Sequence, residues 1–331
     1  MNSPARRLEV SRGDILNIGM LSEPNLATNV RCYYWLENAV VKNLGDYLAA
    51  IVLDALGYRC VNRGYPDPQV RNPGRCLLAI GSVLCNYTFG QISESVDVWG
   101  CGWRGTPLSA AVVGRMQIHA VRGPRTATGL GLPANTPLGD PALLLPQLKA
   151  MSITHHGRTL VAPHFFRIDQ IGAIQRCKLT GCDELLSIRV IGTPSPGLRI
   201  LPRGLPEMVR AWVQLGIPVR TAWQAIHRIA GAAFVLTGSL HGAILAQAYG
   251  VPWAAFDDGY VDVPEKWYDW ADYLGVQIRF VSTLAEGAQW WQMEGRNGAI
   301  RDLAPLLSAF PYQISSEIRQ SCNRALSSHP G

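Results

Sequence analysis

Apolar residues recur at a helical period through residues 44–55. Leu44, Tyr47, Leu48, Ile51, Val52 and Ala55 fall at three- and four-residue spacing, and Gly57 follows to end the helix. Ahead of it, residues 1–30 read as a polar lead-in with little periodicity. Beyond it the period changes. Short apolar runs at 76–80 and 96–99 each end at a glycine, Gly81 and Gly100, and the run 118–121 ends at Arg122-Gly123-Pro124. These are strand-length segments bounded by turn residues. Leu138-Gly139-Asp140-Pro141 marks another turn, before an apolar run to Leu145. The polar stretch 149–158 predicts a linker. A second alternation starts at 159–162. It continues through 185–191, a helix at 206–215, a strand at 217–220, a helix at 221–230 and a strand–helix unit at 234–250. A final helical stretch falls within 311–324. Strands alternating with helices predict an α/β protein of mostly parallel sheets.

The chain of 331 residues has room for two domains. The linker divides it into lobes at 1–150 and 151–331. Both halves place a Gly-Ser pair directly after a strand, Gly81-Ser82 and Gly238-Ser239. That repetition predicts two similar lobes with an active site in the cleft between them, at the carboxyl ends of strands.

The segment Phe234-Val235-Leu236-Thr237-Gly238-Ser239-Leu240-His241-Gly242 carries the most chemistry. An apolar strand meets a Gly-Ser break, and an Ala-rich helix follows with His241 in its first turn. Such a corner presents free backbone N–H groups and the positive end of a helix dipole to an anion. A histidine there adds proton transfer. The glycines flanking Ser239-Leu240-His241 favour close approach of a ligand over simple packing of His241. The serine stands one position too early for a G-x-S-x-G nucleophile elbow, so Ser239 reads as a helix N-cap.

Composition narrows the classes. The chain is 48% hydrophobic and 16% charged, as a globular protein is. Its net charge of +6 rests almost wholly on arginine, since only four lysines occur. The basic residues are scattered, which excludes a nucleic-acid stripe but leaves a mild attraction to an anionic membrane surface. No apolar stretch is long enough to span a membrane, and no signal segment follows Arg6-Arg7. A cytoplasmic protein is expected, its eight cysteines reduced, with no CxxC pair to hold a metal.

Other candidates are weaker singly. Gly100-Cys101-Gly102-Trp103-Arg104-Gly105 fits G-x-G-x-x-G after a strand, but no acidic residue follows at the next strand end, so a nicotinamide cofactor is not expected. Asn43 and Asp46 open the first helix, as caps or as site residues. Trp35, beside Tyr33 and Tyr34, offers either core packing or a platform for a sugar ring. His164 ends a strand at the start of the second half. Arg122, Arg125 and Lys266 supply cations for phosphate and carboxylate. His119, His155, His156, His227 and His329 read as structural or solvated.

The order of these motifs says more than any one of them. Tyr-Tyr-Trp leads to Asn-Leu-Gly-Asp, then Ile-Gly-Ser-Val-Leu, Val-Trp-Gly-Cys-Gly, Val-Arg-Gly-Pro, Leu-Gly-Asp-Pro, Ala-Pro-His, Leu-Thr-Gly-Ser-Leu-His-Gly and Lys-Trp-Tyr-Asp-Trp. Across residues 30–275 this series resembles the polysaccharide pyruvyltransferases. The resemblance implies two Rossmann-like lobes similar to the GT-B glycosyltransferases. It implies phosphoenolpyruvate as donor, a glycan acceptor that is free or lipid-linked, and no metal or cofactor. Work at the inner face of the cytoplasmic membrane would suit a lipid-linked acceptor. On this reading His241 is the acid and Asp46 or His164 the base. Arg122, Arg125, Lys266 and the Gly238-Ser239 corner hold the donor, and Asn43 and Trp35 face substrate. Many members carry Arg-Leu-His where this chain has Ser239-Leu240-His241, which removes a cation from the donor side. A nucleotide-sugar glycosyltransferase on the same scaffold is the alternative, and a non-catalytic glycan-binding protein a third reading.

Overall fold

A computed structural model describes residues 28–35, 40–62, 70–71, 74–170, 180–192, 209 and 217–327. Two parallel sheets organise it. The first contains β1 (Thr28–Cys32), β3 (Tyr58–Asn62), β4 (Val70–Arg71), β5 (Arg75–Leu78), β6 (Ser95–Cys101) and β7 (Met116–Val121). Its order is β3-β1-β5-β6-β7, with β4 also on β1, and every pairing is parallel. The second contains β8 (Thr159–Ala162), β9 (Glu184–Leu185), β11 (Phe234–Thr237), β12 (Trp253–Phe256) and β13 (Phe280–Val281). Its order is β13-β12-β11-β8-β9, again all parallel. The α/β class and the mostly parallel sheets follow the sequence pattern.

The strands of the two sheets separate at the irregular stretch 149–158. Other contacts cross that line. β2 (Val41–Asn43) pairs antiparallel with β10 (Arg189–Ile191). The C-terminal segment returns to the first sheet. There the Trp99 indole donates to the Leu306 carbonyl at 2.8 Å, and Phe310 packs on Trp99 and Tyr58. One apolar cluster accordingly runs from Val30 to Cys322.

The first helix spans Leu44–Ala55, and Asn43 Oδ1 caps it by accepting from Gly45 N–H at 3.3 Å. The Ala222–Ala230 helix starts with a capping box between Thr221 and Gln224. Ser239 occupies the N-cap of the Leu240–Ala248 helix, but its hydroxyl makes no capping bond. Thr237 Oγ1 instead accepts from Ser239 N–H at 3.0 Å and donates to the Ser239 carbonyl at 3.1 Å. Thr237 thus fixes the backbone of the N-cap residue, and no side chain caps the first-turn N–H groups among the described residues.

Several expectations need correction. The polar lead-in ends before Thr28, because β1 takes residues 28–30 into the first sheet. Polar side chains obscured that strand, and its neighbours on both sides supply the ladder. Residues 217–220 form no strand; a single bridge joins Ile191 to Thr221. The last helix begins later, at Ser316–Ser327. The expected helix at 206–215 lies, save Val209, outside the described residues. Not all cysteines are thiols, since Cys32 and Cys60 form a disulfide. Parallel pairing of β1 with β3 brings their Cα atoms to 5.8 Å, within bridging range. Cys76, Cys85, Cys101, Cys182 and Cys322 stand outside that disulfide as thiols, and Cys177 lies outside the described residues.

Candidate functional site

A cavity of about 380 Å³ gathers residues distant in sequence. Trp35, Asn43, Asp46 and Ser82 line it from the first half, and His164, Ser239, His241 and Lys266 from the second. Its size suits a small-molecule ligand. The residues sit at the carboxyl ends of parallel strands: Gly81-Ser82 beyond β5, His164 beyond β8 and Ser239 beyond β11. That is where ligands collect in such sheets.

Close backbone approach explains two of the glycines. A Cβ on Gly45 would stand 2.5 Å from His241 Nδ1, so the first helix abuts the histidine. A Cβ on Gly238 would meet the His164 backbone nitrogen at 2.8 Å, which brings β11 against the turn after β8. Small residues at 45 and 238 therefore let Asp46, His164 and His241 share one space.

Each ionisable group has a defined setting. Asp46 Oδ2 accepts from Asn43 Nδ2 at 2.7 Å. Burial pushes the Asp46 carboxyl above the usual carboxylate range, against the pull of His241, the Asn43 hydrogen bond, Lys266 and Arg104. His164 Nδ1 accepts from Phe166 N–H at 3.4 Å, and its Nε2 lies 3.6 Å from Asp262 Oδ2. Lys266 Nζ donates to the same Asp262 oxygen at 2.5 Å. Burial raises the Asp262 carboxyl, but His164 and Lys266 outweigh it and hold it well below the usual range. Burial lowers the Lys266 ammonium, and Asp262 offsets part of that. His241 Nε2 lies 3.4 Å from Asp140 Oδ2. At the corner, Thr237 occupies the Ser239 N–H, leaving the first-turn N–H groups of Leu240 and His241 at the open end of the helix.

Two expected cations do not reach the cavity. Arg122 is wholly buried and pairs with Asp269 at 3.2 Å. Its Nη1 donates to Ser82 Oγ at 2.8 Å, so it steadies a cavity residue from behind. Arg125 pairs with Asp272 at 2.7 Å and lies over the Tyr268 ring. The Arg-Gly-Pro-Arg and Lys-Trp-Tyr-Asp-Trp segments, both read as ligand-holding, chiefly hold each other. The acids responsible, Asp269 and Asp272, sit on the Pro264–Leu274 helix that also carries Lys266. Lys266 alone of the three faces the cavity.

Sequence reasoning passed over several residues there. Arg104 lines the cavity and makes no ion pair among the described residues. It was hidden in the G-x-G-x-x-G run, whose second glycine serves packing: a Cβ on Gly102 would stand 2.1 Å from the Arg122 guanidinium. Asp262 was legible as an acid four residues before Lys266. Tyr34 belongs to the core, edge-on to Tyr47, whereas Trp35 lies edge-on to Phe165 and Phe166 on the cavity wall. Phe166 and Tyr87 are largely exposed at that wall and extend its aromatic surface. His119 binds Asp97 at 2.8 Å and His156 the Arg228 carbonyl at 2.9 Å, both structural. Among the described residues no three His, Cys, Asp or Glu side chains cluster as a metal site would require.

Asp46 supports a prediction of opposite effects. An unfolded Asp titrates near 4. With the folded value raised, the native state binds more protons just above that pH, so stability falls as pH rises from about 4 through the folded value. Asp46→Asn removes the cost of burying the charge. It is expected to raise the melting temperature at pH 7 by about 1–4 °C while lowering activity. Thermal melts at pH 4 and pH 7 check this, and the gain should shrink at the lower pH.

The chain matches the family described as polysaccharide pyruvyl transferase over residues 43–260. Succinoglycan biosynthesis protein ExoV of Rhizobium meliloti (strain 1021) is 29% identical over 276 residues, covering 79% of this chain and 73% of that protein. A solved structure of a putative UDP-N-acetylglucosamine 2-epimerase from Listeria monocytogenes aligns over 91% of this chain and 95% of that one. Its TM-score is 0.40 and its identity 11%, too distant to inform fold detail or activity. Among the described residues no helix is long and apolar enough to cross a membrane.

Proposed function

The chain belongs to the polysaccharide pyruvyl transferase family, and from that premise we propose that it moves pyruvate from phosphoenolpyruvate onto two hydroxyls of one sugar in an exopolysaccharide or its lipid-linked repeat unit. The product is a cyclic ketal, and phosphate is released. The observation that carries this reading is the cavity, which joins two histidines, a carboxyl of raised pKa and two cations. The ExoV relative, named for succinoglycan biosynthesis, supports an exopolysaccharide acceptor.

The chemistry sets the roles. The enol double bond takes a proton at its methylene carbon, which leaves a cationic centre at C2. A sugar hydroxyl adds there and gives up its proton. The C2–O bond to phosphate then breaks with its electrons on phosphate, and the second hydroxyl closes the ring as its proton leaves. His241 is the acid, and Asp46 or His164 takes the hydroxyl protons. Lys266, Arg104 and the first-turn N–H groups at Leu240 and His241 bind the donor's phosphate and carboxylate. Arg104 and Lys266 thus replace the cation that Ser239 does not supply. Trp35 and Phe166 offer an aromatic wall to the sugar. No resident metal or cofactor enters this sequence of steps. A cytoplasmic site of action beside the membrane goes with a lipid-linked acceptor.

The test is a phosphate-release assay with purified protein, phosphoenolpyruvate and lipid-linked oligosaccharide from the host. Phosphate should appear only with acceptor present, one per ketal formed. No consumption of phosphoenolpyruvate with the intact acceptor would refute the proposal, and turnover of a nucleotide sugar in its place would point to glycosyl transfer.

A further inference from the structure

Asp140 is fully buried at the start of the short 3-10 turn Pro141–Leu144. Its Oδ1 caps that turn by accepting from Ala142 N–H at 3.0 Å. Its Oδ2 has no hydrogen bond among the described residues and faces His241 Nε2 at 3.4 Å. That nitrogen is also buried and makes no hydrogen bond with any described residue. Capping accounts for one oxygen only. A carboxylate is seldom buried completely without a partner, and a lone buried ring nitrogen is costly too. Each is explained if it serves the other, and hydrogen bonds of this kind are often long until substrate tightens the site. On the opposite edge of the ring, Nδ1 lies against Gly45, next to Asp46.

We propose that Asp140 is the positioning residue of His241: it holds the ring with the proton on Nε2 and leaves Nδ1 to exchange a proton with the substrate. The inference rests on the pyruvyl-transfer reading for the identity of that substrate. In the protonation step the imidazolium Nδ1–H passes its proton to the methylene carbon, whose π electrons form the new C–H bond. Neutral imidazole remains, with Nε2–H directed at an ionised Asp140. The carboxylate thus stabilises the charged ring without accepting its proton.

Asp140→Asn separates this role from capping. The amide oxygen still accepts from Ala142, but an N–H now faces Nε2 and favours the other tautomer. Long-range 1H–15N spectra of histidine-labelled wild type, Asp140→Asn and His241→Gln, the last for assignment, read the tautomer directly. Wild type should show His241 protonated at Nε2 and bare at Nδ1, with the pattern reversed in Asp140→Asn. The same variant should lose about 100- to 10,000-fold in kcat, with KM for phosphoenolpyruvate little changed. A neutral wild-type His241 with its proton on Nδ1 rather than Nε2, or a variant kcat within about threefold of wild type, overturns the proposal. Should Asp140→Asn not fold, the wild-type spectrum alone decides it. Should wild type release no phosphate from phosphoenolpyruvate, the functional reading fails, while the tautomer comparison still judges Asp140.

Discussion

His241→Gln is expected to reduce acceptor-dependent phosphate release by about 100- to 10,000-fold, the usual contribution of a positioned acid. Glutamine keeps a polar group against buried Asp140 but cannot pass a proton to carbon. Alanine would be a poorer test, because it leaves Asp140 Oδ2 facing an empty space and adds a cost of about 1–3 kcal/mol to stability. The melting temperature of the glutamine variant should stay within a few degrees of wild type, and phosphoenolpyruvate should still bind, as calorimetry would register. Full activity in a folded His241→Gln protein would remove His241 from the chemistry and leave His164 as the acid.

Gly45→Ala should disable the protein through shape alone. In an ordinary helix the change gains about 0.5–1 kcal/mol. Here the added methyl would lie 2.5 Å from Nδ1, 3.0 Å from Cγ and 3.1 Å from Cβ of His241. The ring or the helix has to move, at a cost of about 1–3 kcal/mol for overpacking. A shift of about 1 Å in a reacting group lowers turnover about 100-fold. Gly90→Ala is the control, since no described residue lies within 4 Å of the position its methyl would take. Melting curves and phosphate release on both variants test the contact. A Gly45→Ala protein as active and stable as wild type would mean that His241 does not rest on the first helix.

Local rules carried much of the fold. The first helix, the strands β5 and β6 and the 234–250 unit all came from period and turn chemistry acting over a few residues. The strands that were missed, β1 and β12 among them, are short, and their polar content or neighbouring helices blurred the period. What makes each a strand is pairing with a partner far along the chain, as Thr28 pairs with Tyr58 and Trp253 with Val235. The disulfide has the same origin, since Cys32 and Cys60 meet only because β1 and β3 are neighbours.

The site divides along the same line. By itself the sequence determined the types of group available: a helix-start histidine, an Asn–Asp pair opening a helix, a histidine ending a strand, and a lysine beside tryptophans. Their chemistry is intrinsic to the residues and to the local backbone that carries them. Only the tertiary structure decided which charges are spent on other charges. Arg122 and Arg125 meet Asp269 and Asp272, while Arg104 and Lys266 reach the cavity, Lys266 with Asp262 as its partner there. It also set Asp140 behind His241 and Asp46 beside it. Such pairings depend on distances of a few ångströms between segments about 100 to 200 residues apart, and burial there changes electrostatic energies far more than residue type does.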